Sequence, residues 1–368
     1  MVDEEVVRPT IAAPRLRGYR NQARLVFRRM SRGGASHVGL GLYLPGTHRV
    51  VHIPTCPIQP SLVNAVAQTV TFLAERMDVS VFDERSGTGA LRYLALRTDR
   101  ARKYVLLTII VAEDTGEQLR KLAEEVRERH PEVIGVQLHL NARHSNVLFA
   151  GEDQWTLGAG RLEDQMGSFR IFVSPRSFLQ VNHAQAEWIY TRLAERLGAD
   201  GADEGRAVTP PGGPPSEIVL DLYCGIGGIA MHVARPGRLV VAVEESSEAI
   251  EDARRAAEVN GVTGIQFVTA RVEDFLRDPA AHGVEFGAAP LQAAVLNPPR
   301  TGCRPGVMEA LARLAPASIA YVSCRTVSLV RDLEVLGPRY VLEEATPVDM
   351  IPLTPHIESL SFLRPAAP

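Results

Sequence analysis

A polar tetrapeptide and a thiol stand where two predicted strands end in the second half of the chain. Asn297-Pro298-Pro299-Arg300 closes the apolar run 291–296, and Cys324 follows the next apolar run, 318–322, by two residues. The two prolines restrict the backbone after Asn297, so its side chain is held at the strand tip. An amide fixed at one strand tip, with a thiol one strand away, indicates a reaction site.

A glycine turn of a cofactor-binding type precedes these residues. Gly225, Gly227 and Gly228 follow the predicted strand 218–222, and glycine lets the backbone pass close to a ligand at a strand tip. Glu244 ends the next predicted strand, where a carboxylate would accept hydrogen bonds from ribose hydroxyls. S-adenosylmethionine and NAD both fit these features, and a plain turn with a surface glutamate is the alternative.

The thiol suits a specific reaction on a nucleic-acid base. Carbon 5 of uracil is a poor nucleophile, but a thiolate that adds to carbon 6 gives an enolate whose carbon 5 attacks an electrophilic methyl group. Cys324 lies just before a helix predicted to begin near Thr326, where free amides and the helix dipole favour the thiolate. The residues therefore indicate methyl transfer to a base, with a small core cysteine as the alternative.

The same route needs a base that removes the carbon 5 proton. His356 and Glu358 are two residues apart in the last predicted strand, so they are expected on one side of it. Either could be the base, and a solvated strand glutamate is the alternative.

Length and composition set the class of protein. With 368 residues the chain can form two cores, because single cores stop growing at roughly 250–300 residues. Hydrophobic residues make up 45% and charged residues 23%, and no apolar stretch approaches the ~20 residues that a membrane helix needs. The acidic start lacks an apolar signal region. We expect a cytoplasmic protein that does not bind membranes.

The cysteines do not indicate a metal site. Cys56, Cys224, Cys303 and Cys324 are scattered with no C-x-x-C spacing, so neither a disulfide framework nor zinc is predicted.

The formal net charge of −3 hides a basic start, since residues 1–32 contain eight arginines and three acidic residues. Such a local excess holds phosphates, or is only a solvated terminus.

Periodicity predicts two domains. Strand patterns at 23–27, 91–97, 104–111 and 133–140, with a helix over 116–130, predict a small α+β domain at residues 15–160, preceded by a flexible arm at 1–14. Residues 199–217 hold almost no large apolar side chains and are expected to be a disordered loop. Within 161–368, strands alternate with helices, which predicts a doubly wound α/β sheet that ends in the antiparallel pair 340–345 and 357–363.

Several motifs, taken in order, resemble those of the RNA uracil-5-methyltransferases. They are Ser177 to Asn182, Asp221 to Gly225, Asn297 to Arg300, Ser323-Cys324 and Pro352 to Glu358. The resemblance covers about residues 17 to 365. It implies a Rossmann-like, seven-stranded class I methyltransferase domain after the α+β domain, with S-adenosyl-L-methionine as cofactor, RNA as partner and no obligate protein partner.

The resemblance also implies roles for individual residues. Cys324 matches the family's nucleophile, and Glu358 matches the base that removes the carbon 5 proton. Residues that match contacts to S-adenosylmethionine or the target base are Gln180, Tyr223, Glu244 and Asn297, with Gly225 in the cofactor turn. These seven residues form the predicted site.

The substrate is expected to be 23S ribosomal RNA, because the motif at 297–300 and the segment 349–358 look more like those enzymes than like the tRNA T-loop enzymes. Many of the latter carry aspartate where Asn297 stands. A tRNA T-loop enzyme stays an alternative. So does an amino-directed methyltransferase, which needs no cysteine. A binding protein without turnover is disfavoured because both Cys324 and Glu358 are present.

Two departures from the family pattern concern the first domain. Some members hold an iron–sulfur cluster with three amino-terminal cysteines and one in a Cys-Pro pair that resembles Cys56-Pro57. Only that fourth position is matched here, so no cluster is expected. An amino-terminal OB-type module is also missing from the sequence, so RNA contacts are expected from the basic arm and the small domain.

Overall fold

A computed structural model describes residues 6–32, 35–143, 147–198 and 214–367. The chain divides into two compact units. The first contains residues 15–164 and 174–176, and the second contains 1–14, 165–173 and 177–368. Most of the predicted loop 199–217 lies outside the described residues. No helix of the described residues is long and apolar enough to cross a membrane.

The first unit is built on a seven-stranded sheet with two helices. Its strands are β1 (Gln22–Arg32), β2 (Ala35–Tyr43), β3 (Val50–His52), β4 (Leu91–Thr98), β5 (Val105–Val111), β6 (Val133–Leu140) and β7 (Glu152–Gly158). The order is β3-β2-β1-β4-β5-β6-β7, antiparallel except for the parallel pair β5 and β6. A helix connects β5 to β6, as a parallel crossover requires.

Helices α1 (Ser61–Arg76) and α2 (Glu117–Arg129) form the core of this unit with one face of the sheet. Helix α1 buries Val63, Val66, Val70 and Leu73, a spacing of three and four residues that gives one apolar face. The sequence prediction found β1, β4, β5, β6 and α2 but not α1 or the edge strands. In α1 the apolar face is interrupted by polar residues and alanines, which weakens its signal.

A two-stranded sheet of β8 (Leu162–Met166) and β9 (Phe169–Val173) precedes α3 (His183–Arg196). The second unit continues with the strands β10 (Glu217–Leu222), β11 (Arg238–Glu244), β12 (Ile265–Thr269), β13 (Leu291–Leu296), β14 (Ile319–Ser323), β15 (Tyr340–Val348) and β16 (Glu358–Pro365). The helices between them are α4 (Gly228–Val233), α5 (Ser247–Val259), α6 (Val272–Arg277), α7 (Val307–Leu314) and α8 (Thr326–Leu336).

These seven strands form a doubly wound sheet in the order β12-β11-β10-β13-β14-β16-β15. The first five are parallel, and β16 lies between β14 and β15, antiparallel to both. The predicted α/β class and the antiparallel end are confirmed. The strand order reverses at β10 and β13, so a crevice opens at their carboxyl ends, where ligands bind in such sheets.

Residues 7–11 lie against this second sheet, unlike the flexible arm that the sequence predicted for residues 1–14. Val7 and Ile11 form isolated parallel bridges with Ala345 and Val348 of β15, and the Ile11 carbonyl accepts a hydrogen bond from the Asp349 amide at 2.9 Å. An edge strand has unpaired backbone groups, which a short extended segment satisfies. This pairing orders residues 6–14.

Candidate active site

The turn after β10 brings the predicted cofactor residues to the middle of the sheet. Tyr223 has a φ of 64°, a left-handed conformation that is uncommon for a residue with a side chain. The Cys224 amide donates to the Val243 carbonyl at 3.0 Å, and the Asn297 amide donates to the Leu222 carbonyl at 3.2 Å. The tips of β10, β11 and β13 are therefore joined by backbone hydrogen bonds.

Glu244 at the end of β11 fixes the glycine turn. One of its carboxylate oxygens, Oε2, accepts from the Gly225 amide at 3.2 Å, and the other, Oε1, accepts from the Ser246 amide at 3.0 Å. Gly225 has a φ of 54°, and Gly227 has one of 76°, which glycine adopts without steric cost. A carboxylate has about four acceptor positions, so this half-buried glutamate retains capacity for ribose hydroxyls.

Asp221 is the buried charge of the turn. It has no exposed surface, and burial raises its pKa to about 7. The charge of Glu244 raises the pKa further, while the Ala230 amide opposes the shift without reaching hydrogen-bond geometry. Among the described residues neither carboxylate oxygen has a hydrogen-bond donor. A hydrogen-bond donor or a positive group on a ligand would satisfy these oxygens. A cofactor that carries an amino group therefore fits this turn.

The segment before α3 reaches both ends of the site. Ser177 donates to Asp252 of α5 at 2.7 Å, and Asn182 donates to the Met350 carbonyl at 3.2 Å. Between these two anchors, the buried Gln180 donates from Nε2 to Oε2 of Glu358 at 3.4 Å. Gln180 is thus held beside the predicted base.

Glu358 is a buried carboxyl at the start of β16. Burial raises its pKa from 4.5 to about 7, and the hydrogen bond from Gln180 opposes the rise. The pKa therefore lies near neutral pH, where a carboxyl both takes up and releases a proton readily.

Cys324 comes one residue after Ser323, which pairs with Ser359 across β14 and β16. The antiparallel register sets Cys324 opposite Glu358, the residue before Ser359. Helix α8 begins at Thr326, as predicted, and Cys324 is half-buried. The expectation of a stabilised thiolate is wrong, however, because burial and then the charge of Glu358 raise the pKa of the thiol. Arg300 and Arg325 lower it, but by less.

His356 and Glu358 do not form the same-side pair that the sequence predicted. Strand β16 begins only at Glu358, so strand alternation does not extend to His356. His356 is exposed, and its Nδ1 lies 3.3 Å from a guanidinium nitrogen of Arg300. Of the two candidate bases, only Glu358 is buried beside Gln180.

Two groups near the site gave no signal in the sequence. Tyr190 of α3 is buried near Gly228, and burial followed by the charges of Asp221 and Glu358 raises its pKa. Beneath the loop after Asn297, Asp332 of α8 accepts from the Cys303 amide at 2.7 Å and the Tyr321 hydroxyl at 2.6 Å. These contacts join residues distant in sequence.

The structure thus brings the predicted residues together in one unit, at the carboxyl ends of β10, β11, β13 and β14 and the start of β16. Within the described ranges, no group of three or more histidine, cysteine or acidic side chains could hold a metal ion.

The fold and the crevice define a class I methyltransferase domain. A family model described as tRNA (Uracil-5-)-methyltransferase matches residues 215–365. An uncharacterized RNA methyltransferase of Geobacter sulfurreducens is 32% identical over 96% of this chain and 67% of its own. Another of Gloeobacter violaceus is 33% identical over 98% of this chain and 73% of its own. The chain belongs to the RNA uracil-5-methyltransferase family.

A solved structure with a similar fold is the tRNA (uracil-54, C5)-methyltransferase of Pyrococcus abyssi in complex with S-adenosyl-L-homocysteine. It has a TM-score of 0.72 and 23% identity, and the match covers 96% of this chain and 78% of that one.

Proposed function

We propose that the protein transfers a methyl group from S-adenosyl-L-methionine to carbon 5 of a uridine in RNA, with 23S ribosomal RNA as the substrate and the cytoplasm as its location. The observation that carries the chemistry is the Ser323–Ser359 pair, whose antiparallel register sets Cys324 opposite the buried Glu358 at the open end of the sheet. An amino-directed methyltransferase needs neither group.

The cofactor is proposed to bind at the turn after β10. Glu244 would accept from the ribose, Gly225 allows close approach of the backbone, and Asp221 offers its oxygens to an amino group. Tyr223, Gln180 and Asn297 complete the set of residues proposed to contact the cofactor or the target base. When bound, S-adenosylmethionine supplies an electrophilic methyl group.

The chain's own residues carry the remaining steps. The thiol of Cys324 loses its proton to solvent and its sulfur bonds to carbon 6. The electron pair of the carbon 5–carbon 6 double bond then moves to oxygen 4, which gives an enolate. After carbon 5 has gained the methyl group, Glu358 takes the carbon 5 proton. The carbon 5–carbon 6 double bond then re-forms and expels the sulfur. Arg300 and Arg325 favour the first step because their charges lower the pKa of the thiol.

The choice of 23S ribosomal RNA is supported by Asn297 in the Asn-Pro-Pro-Arg motif and by the segment 349–358. The second candidate is the tRNA T-loop, because the structural neighbour acts on tRNA uracil-54 and the matching family model carries a tRNA name.

Mapping 5-methyluridine in a deletion strain tests both. We expect the modification to disappear from a 23S site, to return with the wild-type gene and to stay absent with Cys324→Ala. Loss from tRNA alone would replace the ribosomal substrate with the T-loop. Loss from neither RNA would overturn the proposed activity.

A further inference from the structure

The first unit contains a cavity that the proposed chemistry does not use. It has a volume of about 180 Å³ and is lined by residues of β1, β2 and α1 and of the segment from His52 to Gln59. Apolar side chains that line it include Leu25, Leu40 and Val63, while Arg20, Arg24 and Gln59 are among the polar lining residues. An apolar cavity with a few convergent polar groups is the usual form of a ligand site.

Two of the lining residues are arginines, Arg20 and Arg24. Among the described residues, neither Arg20 nor Arg24 forms an ion pair, and Arg20 donates from Nε only to the Gln22 carbonyl, at 2.9 Å. Although Arg24 keeps solvent contact, the protein around it lowers the pKa of its guanidinium, and the charge of Arg20 lowers it further. A bound anion would oppose both effects, because a negative charge favours the charged form of a guanidinium. A phosphate suits a pair of guanidinium groups.

The volume selects the size of the group inside. An apolar cavity of about 150 Å³ accepts benzene, so a cavity of 180 Å³ accepts one six-membered ring. A pyrimidine has that size, whereas the two fused rings of a purine need more room. The volume of the cavity therefore matches the ring of a pyrimidine.

A buried acceptor supplies a matching polar contact. Gln59 donates from Nε2 to the Gln22 carbonyl at 3.1 Å, while its Oε1 is buried and has no hydrogen-bond partner among the described residues. A buried acceptor without a donor is unfavourable. Both pyrimidines have a donor for it, at nitrogen 3 of uracil and at the amino group of cytosine.

We propose that this cavity binds a single pyrimidine nucleotide of the RNA, with its ring between β1, β2 and α1 and its phosphate against Arg20 and Arg24. The site would hold an unstacked nucleotide that is not methylated, as proteins commonly do with single-stranded RNA. The inference rests on the proposed function for the identity of the ligand as RNA.

Salt dependence of RNA binding tests the phosphate contacts. Binding of a substrate RNA fragment to the full chain is measured without cofactor, over a range of salt concentrations. Arg20→Ala and Arg24→Ala are each expected to lower the slope of log affinity against log salt by about 0.7. Arg28→Ala is the matched control, because Arg28 lies on β1 with Arg24, pairs with Asp83 at 3.8 Å and does not line the cavity. Equal slopes for all three variants would overturn the phosphate contact.

Crosslinking tests the ring. RNA that carries 4-thiouridine outside the methylated position should crosslink to a peptide within residues 52–71, and Ala67→Leu should abolish this crosslink by filling the cavity. Gln59→Leu keeps the volume and should reduce crosslinking severalfold. If the crosslinks fall elsewhere while Arg20→Ala and Arg24→Ala still lower the salt slope, the two arginines bind phosphate at the surface. That outcome would overturn the proposal that the cavity holds a nucleobase. Neither assay involves methyl transfer, so a chain that binds in this way but forms no 5-methyluridine would contradict only the proposed function.

Discussion

Two pairs of a thiol and a carboxyl in the second unit differ in how far their polar atoms are satisfied. Asp332 accepts hydrogen bonds from the Cys303 amide and the Tyr321 hydroxyl, and Arg331 donates to its other oxygen at 2.7 Å. Glu358, opposite Cys324, accepts one long bond from Gln180. Both carboxyls are buried.

The difference separates a pair that stabilises the structure from a pair that can react. Cys303 is buried, and burial followed by the charge of Asp332 raises its pKa to about 12. Burial and then the charge of Glu358 also raise the pKa of Cys324, but this thiol is only half-buried, and Arg300 and Arg325 oppose the rise. A carboxyl with its acceptors filled holds a loop, whereas a buried carboxyl with free acceptors can take a proton from a substrate. The first pair supports the loop after Asn297, and the second is suited to react.

The largest difference is expected between the replacement of Cys324 and the replacement of Cys303. Cys324→Ala is expected to lower methyl transfer at least on the order of a thousandfold, the scale seen when a nucleophile is removed. RNA with 5-fluorouridine at the target should trap a covalent complex with the wild type, because fluorine cannot leave as a cation. Cys303→Ser should still be trapped. No complex with an otherwise active enzyme would exclude the covalent route.

Replacement of the base should stall the reaction after the methyl group has moved. Glu358→Gln keeps the shape and loses the basicity, which should cost about 10²–10⁴ in turnover. We expect a methylated protein–RNA adduct to accumulate on denaturing gels with labelled cofactor. His356→Ala is the control and should be milder, because that residue is exposed beside Arg300. Accumulation with His356→Ala instead would reverse the assignment.

Replacement of the two carboxyls by amides should change the free energy of unfolding with opposite signs. Between pH 4.5 and 7 folded Glu358 binds more protons than unfolded Glu358, so its contribution to stability falls as pH rises. A rise from 4.5 to about 7 corresponds to about 3 kcal/mol in the free energy of unfolding. Glu358→Gln should therefore stabilise the protein by up to about 3 kcal/mol above pH 7 and lose this advantage by pH 4.5.

Asp332→Asn should instead destabilise the protein by about 1–3 kcal/mol, because an amide leaves some of the buried donors without an acceptor. Denaturant titrations of both variants at pH 4.5 and pH 8 give the comparison. Destabilisation by Glu358→Gln at pH 8 would mean that its carboxylate is satisfied after all.

The smallest expected effect concerns the charges around Cys324. Arg300→Gln removes a group that lowers the pKa of the thiol, so the pH dependence of iodoacetamide labelling at Cys324 should shift to higher pH. Arg304→Gln is the matched control, since Arg304 pairs with Glu273 at 3.3 Å. An unchanged profile for Arg300→Gln would remove Arg300 from the activation of the thiol.

The sequence by itself determined the alternating strands of the second unit, the glycine turn and the order of the motifs. Each is a local signal, because apolar runs and glycine positions reflect backbone geometry within a few residues. It also predicted catalytic roles for Cys324 and Glu358, through their place at strand ends and the resemblance of their motifs to those of a family. Strand alternation alone did not separate His356 from Glu358 as bases, and only the resemblance favoured Glu358.

Only the tertiary structure decided the electrostatics of those residues. A helix start near Thr326 predicted a thiolate, but burial and then the charge of Glu358 on the opposite strand raise the pKa of Cys324 instead. The support of Cys303 by Asp332 depends on a contact between residues 29 apart. Burial and charge depend on what lies across the sheet, which no short stretch of sequence contains.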